Sequence, residues 1–225
     1  MKISIILAHP KPGSFNHAIA SAAEAELQQC GHTVRLHDLC AEQFNPLLPA
    51  EELANDAPLE SVVRQHGHEI VEADGIVIVH PNWWGMPPAI LTGWIDRVLR
   101  PGVAYRFVTN DQGEGVAQGL LRARSAIVFN TANTPDDRER EWFGDPLELL
   151  WKKCIFGLCG VKNVQRRTFS VVITSKPEQR AQWLKEVREI AGEHFKPERK
   201  PLTGPGALDG RLHALNLKEL PPPRA

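Results

Sequence analysis

Residues 76–97 read IVIVHPNWWGMPPAILTGWIDR, and this stretch decides the fold. Residues 76–79 are a short run of β-branched apolar residues, which indicates a strand buried on both faces of a parallel sheet. Residues 86–98 carry apolar side chains at helical spacing after two prolines, which the first turn of a helix tolerates. We therefore expect residues 82–86 to form a tight loop at the carboxyl edge of the sheet, where open α/β sheets bind ligands. Trp83 and Trp84 in that loop would suit a flat aromatic ligand.

The composition favours one α/β domain that binds a small molecule. The chain has 225 residues, with 27 acidic against 26 basic side chains. With this balance the chain has no excess of basic residues that would indicate binding to nucleic acid or to an anionic membrane. No apolar run approaches the roughly 18 residues of a membrane-spanning helix, and the first strand follows Met1 directly, so we expect a cytoplasmic protein. The 4 cysteines form no Cys-x-x-Cys pair, which predicts free thiols and no metal site.

Periodicity along the chain predicts strands that alternate with helices. The predicted strands cover residues 3–8, 33–39, 76–79, 126–130 and 169–173, and the predicted helices cover residues 15–27, 58–73, 86–98, 146–158 and 177–195. Residues 100–120 contain several glycines and little periodicity, which predicts a long loop. The alternation indicates a doubly wound parallel sheet with helices on both faces. Residues 196–225 are rich in proline and glycine and are expected to form an arm outside the domain at residues 1–195, either packed on a neighbour or partly disordered.

The loop after the first strand distinguishes two possible strand orders. A dinucleotide-binding Rossmann unit would carry three glycines in this loop, whereas residues 9–16 contain only Gly13. The flavodoxin-like order is therefore favoured. Ser14 stands at the expected start of a helix, where free backbone amides and the helix dipole attract an anion, and His9 could add a donor to a phosphate. An ordinary turn would explain the same residues, so this loop alone does not decide the function.

Two segments together give the chain a family resemblance. His9 with Ser14-Phe15-Asn16 forms the first segment, and Pro81 to Phe107 with Tyr105 forms the second. In this pairing the sequence resembles the flavodoxin-like NAD(P)H:quinone oxidoreductases of the DT-diaphorase type over residues 2–175. The resemblance implies a flavodoxin-like doubly wound five-stranded parallel sheet.

The resemblance also implies a cofactor site built from three loops. The implied cofactor-binding residues are His9, Ser14, Phe15 and Asn16 in the phosphate loop; Pro81, Asn82, Trp83, Trp84 and Gly85 against the flavin ring; and Asn130, Thr131, Ala132 and Asn133 after the fourth strand. The last group departs from the family, which has paired threonines followed by Gly-Gly there. Independently, a flavin needs a planar slot and backbone donors, which a proline-bracketed loop with two tryptophans supplies.

Five residues are implied near the reaction itself. Trp84 falls on the family's tryptophan, Tyr105 falls on a tyrosine that covers the substrate side of the flavin, and Phe107 replaces a second tyrosine. Arg138 and Arg140 are added as candidates because this chain lacks two residues that the family has near the flavin.

The two missing residues are a tyrosine and a histidine that the family places near the N1 and O2 edge of the flavin. Phe143 stands at the histidine position, and Asp137 or Arg138 stands at the tyrosine position. A guanidinium can stabilise negative charge on the reduced ring without a proton transfer. Arg138 and Arg140 are the candidates, although both could equally lie on the solvated face of a helix.

The implied activity is that of a homodimeric flavoenzyme. NAD(P)H would leave a hydride on flavin N5, and a quinone-like acceptor would then collect it from the same pocket in a ping-pong cycle. Reduction of FMN, azo or nitro compounds is an alternative within the same class, and a flavodoxin-like electron carrier or regulatory subunit is an alternative of another class. The match at His9 and Asn16 favours FAD over FMN, while NADH against NADPH and the identity of the acceptor stay open.

Overall fold

The computed structural model describes residues 1–54 and 56–196. Its strands are β1 (Lys2–Leu7), β2 (Thr33–Asp38), β3 (Gly75–Pro81), β4 (Tyr105–Thr109), β5 (Gly115–Gly119), β6 (Ser125–Thr131) and β7 (Asn163–Phe169). Its α-helices are α1 (Phe15–Gln29), α2 (Ser61–Glu72), α3 (Ala89–Val98), α4 (Asp136–Phe143), α5 (Pro146–Leu149) and α6 (Pro177–His194). A π-helical segment (Leu150–Ile155) continues α5, and 3-10 turns occupy Ala50–Leu53 and Val172–Thr174.

Five parallel strands form the central sheet in the order β2-β1-β3-β6-β7. This order confirms the predicted flavodoxin-like sheet. From β1 the chain passes first to one side, where β2 lies, and then crosses to the other side, where β3 lies. The carboxyl ends of β1 and β3 therefore flank the topological switch point, which is where open sheets of this kind bind ligands.

The central strand β3 divides the interior into two hydrophobic cores. Every residue of β3 is buried, and its side chains alternate between the two faces of the sheet. Ile76 and Ile78 pack into the core beneath α2 and α3, whereas Val77 and Val79 pack into the core beneath α1 and α6. Helices therefore cover both faces, as the all-apolar run predicted.

The prediction of a long loop at residues 100–120 was wrong. These residues hold an antiparallel hairpin in which β4 pairs with β5 from Tyr105 opposite Gly119 to Thr109 opposite Gly115. Neither strand buries an apolar face, so no period-2 signal marks it. The turn is built by Asn110, whose Oδ1 accepts hydrogen bonds from the backbone N–H groups of Gln112 and Glu114 at 3.1 and 2.8 Å.

The prediction of the fifth strand was also wrong. The edge strand β7 ends at Phe169, where the predicted strand at residues 169–173 would begin. A polar edge strand that contains Arg166 and Arg167 lacks the apolar run on which the prediction relied. Val171 adopts a left-handed φ of 55°, which takes the chain out of the sheet before the turn Val172–Thr174.

The predicted C-terminal arm at residues 196–225 lies outside the described residues, apart from Lys196. Within residues 1–54 and 56–196, no helix has both the length and the apolar composition that a bilayer crossing needs.

Candidate functional site

His9 presents a neutral N–H group at the carboxyl end of β1. Its Nδ1 accepts a hydrogen bond from the backbone N–H of Lys11 at 3.1 Å, so the neutral ring carries its proton on Nε2. Burial lowers the pKa of His9 from its ordinary value, which favours the neutral ring. The ring lies 5.9 Å from that of Trp83, centroid to centroid. The structure thus brings the first loop and the tryptophan loop together.

Ser14 is the N-cap residue of α1, as the sequence predicted, but its hydroxyl does not cap the helix. The hydroxyl instead bonds Nδ1 of His17 at 2.8 Å, and Nε2 of His17 contacts Asp38 at 3.0 Å. In the part of the chain that the structure describes, the first backbone N–H groups of α1 therefore have no side-chain partner. They point out of the helix end beside His9 and offer an anion several donors.

Asn16 links the first loop to the loop after β6. Its Nδ2 donates to Oγ1 of Thr131 at 2.9 Å, and the residue is only 2% exposed. Its Oδ1 is buried and has no hydrogen-bond partner in the described chain. Phe15 turns the other way and packs against Phe169 and Trp183, with ring centroids 6.2 and 5.8 Å apart. The structure therefore places Asn16 and Thr131 at the site, whereas the Phe15 ring is partly buried against the core beneath α1 and α6.

Asn82 shapes the loop that follows β3. Its backbone N–H donates to the Thr131 carbonyl at 2.7 Å, and its Oδ1 accepts from the Gly85 N–H at 3.0 Å. Its Nδ2 donates to Oε1 of Glu139 at 2.9 Å. The backbones of Trp83 and Met86 close the loop with two mutual hydrogen bonds, so α3 begins at Ala89 and not at residue 86 as predicted.

Trp84 stands at the tip of this loop and is 96% exposed. It adopts a left-handed φ of 59°, an uncommon conformation for a bulky residue, and Gly85 follows at 71°. A Cβ atom on Gly85 would lie 2.6 Å from Cγ of Pro146, so glycine is required there for space as well as for φ. The loop is therefore held in a specific shape that leaves one large aromatic wall open.

Two cavities lie beside this loop. The larger has a volume of about 490 Å³ and is lined by Asn82, Trp84, Gly85, Thr134, Glu139, Phe143 and Pro146. We call it the ring pocket. The smaller has a volume of about 200 Å³, shares Thr134 and Glu139 with the ring pocket, and is lined further by charged and small residues that include Ala132, Arg140 and Arg166. Of the implied flavin residues, Asn82, Trp84 and Gly85 line the ring pocket.

Asn130 points into the interior instead of into the ring pocket. Its Nδ2 donates to Nε2 of His80 at 2.8 Å, and Nε1 of Trp151 donates to the same atom at 2.9 Å. With two donors on Nε2, the His80 proton lies on Nδ1, which donates to the Pro81 carbonyl at 2.8 Å. Burial lowers the pKa of His80 to about 4, so the ring is neutral. The side chain of Asn130 thus positions His80, which in turn holds the Pro81 carbonyl at the end of β3.

Arg166 extends this network to the smaller cavity. Its Nη1 donates to Oδ1 of Asn130 at 3.2 Å, and its guanidinium pairs with Asp145 and Glu148. The sequence analysis missed His80, Glu139 and Arg166. A histidine at the end of an otherwise apolar strand was a signal for His80, but no local pattern distinguishes Glu139 and Arg166 from other surface charges.

Tyr105 and Phe107 lie on the hairpin, away from the ring pocket of the same chain. Their rings meet edge to face with centroids 5.6 Å apart. Tyr105 is half-buried against the core beneath α3, and Phe107 is exposed. Neither residue lines the ring pocket of its own chain. Their role on the substrate side of the flavin stays a prediction, and it would require a second chain.

Arg138 and Arg140 have different surroundings on α4. The guanidinium of Arg138 lies 5.1 Å from the ring centroid of Trp142 on the exposed side of the helix. Arg140 lines the smaller cavity. Asn133 is exposed, and its Oδ1 accepts a hydrogen bond from the Ile173 N–H at 3.0 Å. The structure therefore brings Arg140, but not Arg138, to the implied site.

One cluster of metal-ligating residue types lies elsewhere, where His37, Glu42 and His66 bring their ligand atoms within 4.8 Å of one another. The Nε1 N–H of Trp94 donates to Nδ1 of His66 at 2.9 Å, so the proton of the neutral His66 ring lies on Nε2 and faces Glu42 at 3.2 Å. A metal ion on that Nε2 would displace this proton to Nδ1, against the Trp94 donor. Burial lowers the pKa of His66 to about 4. The cluster is thus arranged as a hydrogen-bonded network and not as a set of free ligands.

Comparisons with known proteins agree with this fold. The model of a family with the flavodoxin-like fold, Flavodoxin_2, matches residues 1–193. An uncharacterized NAD(P)H oxidoreductase of Haemophilus influenzae is 38% identical over 169 residues, which cover 73% of this chain and 81% of that protein. Human ribosyldihydronicotinamide dehydrogenase [quinone] is 29% identical over 214 residues, with coverages of 84% and 91%. The solved NAD(P)H:quinone oxidoreductase of Methanothermobacter marburgensis superposes with a TM-score of 0.72 at 27% identity, covering 88% of this chain and 99% of that one.

Proposed function

The chain belongs to the Flavodoxin_2 family, which has the flavodoxin-like fold, and we propose that it is a flavin-dependent NAD(P)H oxidoreductase that reduces a quinone-like acceptor. One observation carries this proposal. The ring pocket, with Trp84 as an open aromatic wall, lies at the same sheet edge as the uncapped end of α1. A flavin nucleotide needs both features, one for its ring and one for its phosphate.

The residues at the first loop fit a cofactor phosphate. The Nε2–H of neutral His9 and the free N–H groups at the start of α1 are donors, and no carboxylate hydrogen-bonds to any of them in the described residues. The amide oxygen of Asn16 is buried and has no partner in the described residues, so it offers no open acceptor, and Asn16 contributes by joining this loop to Thr131. His9 and Ser14 would therefore hold the phosphate end, while Phe15 contributes by packing. The earlier preference for FAD over FMN rests on this loop and stays a proposal.

A bound flavin would supply a hydride acceptor and donor at N5. The chain would supply placement: Asn82 and Gly85 fix the loop, and Trp84 with Phe143 would exclude water from the ring. A single open pocket must serve NAD(P)H and the acceptor in turn, which supports a ping-pong cycle. Arg140, which lines the adjoining cavity, is the candidate that remains for stabilising negative charge on the reduced ring.

We also propose that the active form is a homodimer. Large apolar side chains are exposed around the ring pocket and on the hairpin; they are Trp84, Met86, Phe107, Trp142, Phe143 and Leu149. Soluble monomers rarely expose so many large apolar groups, and a second chain could bring its Tyr105 and Phe107 to this pocket. Light scattering of the purified protein tests this, and a monomeric mass with full activity contradicts it.

The test of the activity has two steps. Apoprotein is titrated separately with FAD and FMN, and the loaded protein is then assayed for oxidation of NADH and NADPH with and without menadione. Tight binding of one flavin and steady turnover that depends on menadione support the proposal. Flavin binding with negligible turnover would favour an electron carrier or a regulatory subunit, and turnover with azo dyes or free FMN in place of menadione would favour the other reductase activities.

A further inference from the structure

Glu139 is a buried acid in the wall between the two cavities. It lies on α4, is 8% exposed, and lines both the ring pocket and the smaller cavity. Its Oε1 accepts the hydrogen bond from Nδ2 of Asn82. Its Oε2 accepts no hydrogen bond from any described residue, and no described lysine, arginine or histidine lies within 4.0 Å of the carboxylate. The oxygen also differs from Asn16 Oδ1 and Asp145 Oδ1, which are unpaired and sealed from solvent, since it stays accessible from a cavity.

The Glu139 carboxylate accepts only one hydrogen bond in the described residues, at Oε1 from Asn82, which is fewer than a buried acid ordinarily has. The interior solvates a charge poorly, and a buried acid is ordinarily paired with a cation or with several donors. Glu139 is not required to keep the surface of α4 polar, because Asp136, Asp137 and Glu141 are exposed acids on the same helix. The free oxygen is therefore arranged to accept a hydrogen bond from something that enters the cavity. An ionised carboxylate has no proton to donate, so the ligand must present an N–H or O–H group.

We propose that Glu139 Oε2 accepts a hydrogen bond from the imide N3–H of the flavin ring; this inference rests on the proposed function. The oxidised ring system carries a single N–H group, at N3 between two carbonyl groups. This edge is the part of the ring that an acidic side chain can recognise by a hydrogen bond. Glu139 then has two functions. Its Oε1 holds Asn82 and the loop before Gly85, and its Oε2 accepts the hydrogen bond from N3–H.

The alternative is that Glu139 acts only through Asn82. The substitution Glu139→Gln separates the two functions. A glutamine keeps the size of the side chain, and its amide oxygen can still accept from Asn82 Nδ2. Its NH₂ group then replaces Oε2 and faces the cavity with a donor, which would oppose the N3–H group.

The experiment is a binding titration of apoprotein followed by quenching of flavin fluorescence. The probes are a flavin nucleotide, in the FAD or FMN form that the wild type binds more tightly, and the same nucleotide methylated at N3. We expect Glu139→Gln to weaken binding of the parent flavin by about ten-fold, the scale of a hydrogen bond to a charged group, and to leave binding of the N3-methyl flavin within about two-fold of wild type. The matched control Glu141→Gln, on the exposed side of the same helix, should leave both affinities unchanged.

Two other results for Glu139→Gln overturn the inference. Equal weakening of both flavins by Glu139→Gln would show that the residue acts only through the loop, and unchanged binding of both would show that it does not contact the ring. If Glu139→Gln does not fold, equal binding of the two flavins to the wild type refutes the inference, and weaker binding of the methylated flavin supports it. A wild type that binds neither flavin would instead refute the proposed function, and with it this inference.

Discussion

Asn16 and Thr131 are separated by 115 residues in sequence and joined by a 2.9 Å hydrogen bond at the carboxyl edge of the sheet. The bond connects the start of α1 to the end of β6, and the Thr131 carbonyl also receives the backbone N–H of Asn82. One threonine therefore holds together the three loops that the cofactor would contact.

Thr131→Val should destabilise the protein. Valine keeps the shape of the side chain but leaves Nδ2 of the buried Asn16 without its acceptor, which costs about 1–3 kcal/mol. Urea unfolding measures the effect. Thr109→Val, at an exposed position on the hairpin, is the matched control and should change the free energy of unfolding by no more than about 0.5 kcal/mol. Equal effects of the two substitutions would show that the hydrogen bond contributes nothing.

Trp84→Ala should weaken flavin binding without lowering stability. The side chain is almost fully exposed, so its removal leaves no cavity in the core. An aromatic wall against a flat ring contributes stacking as well as buried area, and we expect a loss of affinity of about ten-fold or more. Fluorescence titration of apoprotein measures it. Trp142→Ala removes another exposed tryptophan that does not line the ring pocket, and its affinity should match wild type.

Gly85→Ala should be more damaging than Gly113→Ala. Both glycines adopt a left-handed φ, 71° and 80°, so alanine costs about 1 kcal/mol of backbone strain at either position. Only at Gly85 does the added Cβ also collide with Pro146, whereas nothing lies within 4 Å at Gly113. We expect the larger drop in melting temperature, together with loss of flavin affinity, at Gly85 alone. Equal effects at the two positions would contradict the close approach to Pro146.

Stability should fall as the pH is lowered through the histidine range. His66 and His80 have pKa values near 4 in the folded protein and an ordinary value of 6.5 when unfolded. Both forms are neutral at pH 8, and between pH 6.5 and about 4 the unfolded chain takes up protons that the folded chain does not. As the pH falls from 6.5 to about 4, each of the two histidines therefore lowers the free energy of unfolding by up to about 3 kcal/mol.

Urea unfolding at several pH values tests this dependence. His66→Phe should flatten the pH dependence, even though it lowers the stability at pH 8 by removing the acceptor of Trp94. His68→Phe changes an exposed residue of the same helix and should keep the wild-type slope. A slope in His66→Phe equal to that of wild type would show that folding does not lower the pKa of His66.

Arg140→Ala should slow the reduction of bound flavin by NAD(P)H. Arg140 lines the cavity beside the ring pocket, and a positive charge there favours the negatively charged reduced ring. We expect a decrease of about ten-fold in stopped-flow reduction and a lower flavin potential. Arg138→Ala is the control, because that guanidinium stacks on Trp142 outside the pocket. Wild-type rates in both variants would leave backbone amides as the stabilising groups.

The sequence was informative where burial imposes a pattern. The all-apolar run before His80 predicted β3, and with it the site edge and the class of sheet, because a strand buried on both faces must be apolar throughout. The hairpin and β7 were not predicted because their exposed faces carry no such constraint.

The candidate site followed the same division. Asn82, Trp84 and Gly85 line the ring pocket, and the sequence pointed to them because they share one short loop; their contact with a flavin stays a prediction. Glu139 could not be predicted, since its burial depends on contact with Asn82, 57 residues away, and not on any neighbour along α4. Arg166 could not be predicted for the same reason, because its partners Asp145 and Asn130 lie outside its own strand β7.

The hydrogen bond from His80 Nδ1 to the Pro81 carbonyl makes one part of the candidate site depend on the core. His80 is held by Asn130 and Trp151, so a change at the Pro81 corner requires compensating changes in several core residues at once. Among residues 1–54 and 56–196, no hydrogen bond ties the Trp84 side chain to the core, and this side chain is 96% exposed. A substitution of Trp84 is therefore expected to leave the interior intact, whereas a substitution of His80 or Trp151 is expected to shift the loop corner at Pro81 together with the core.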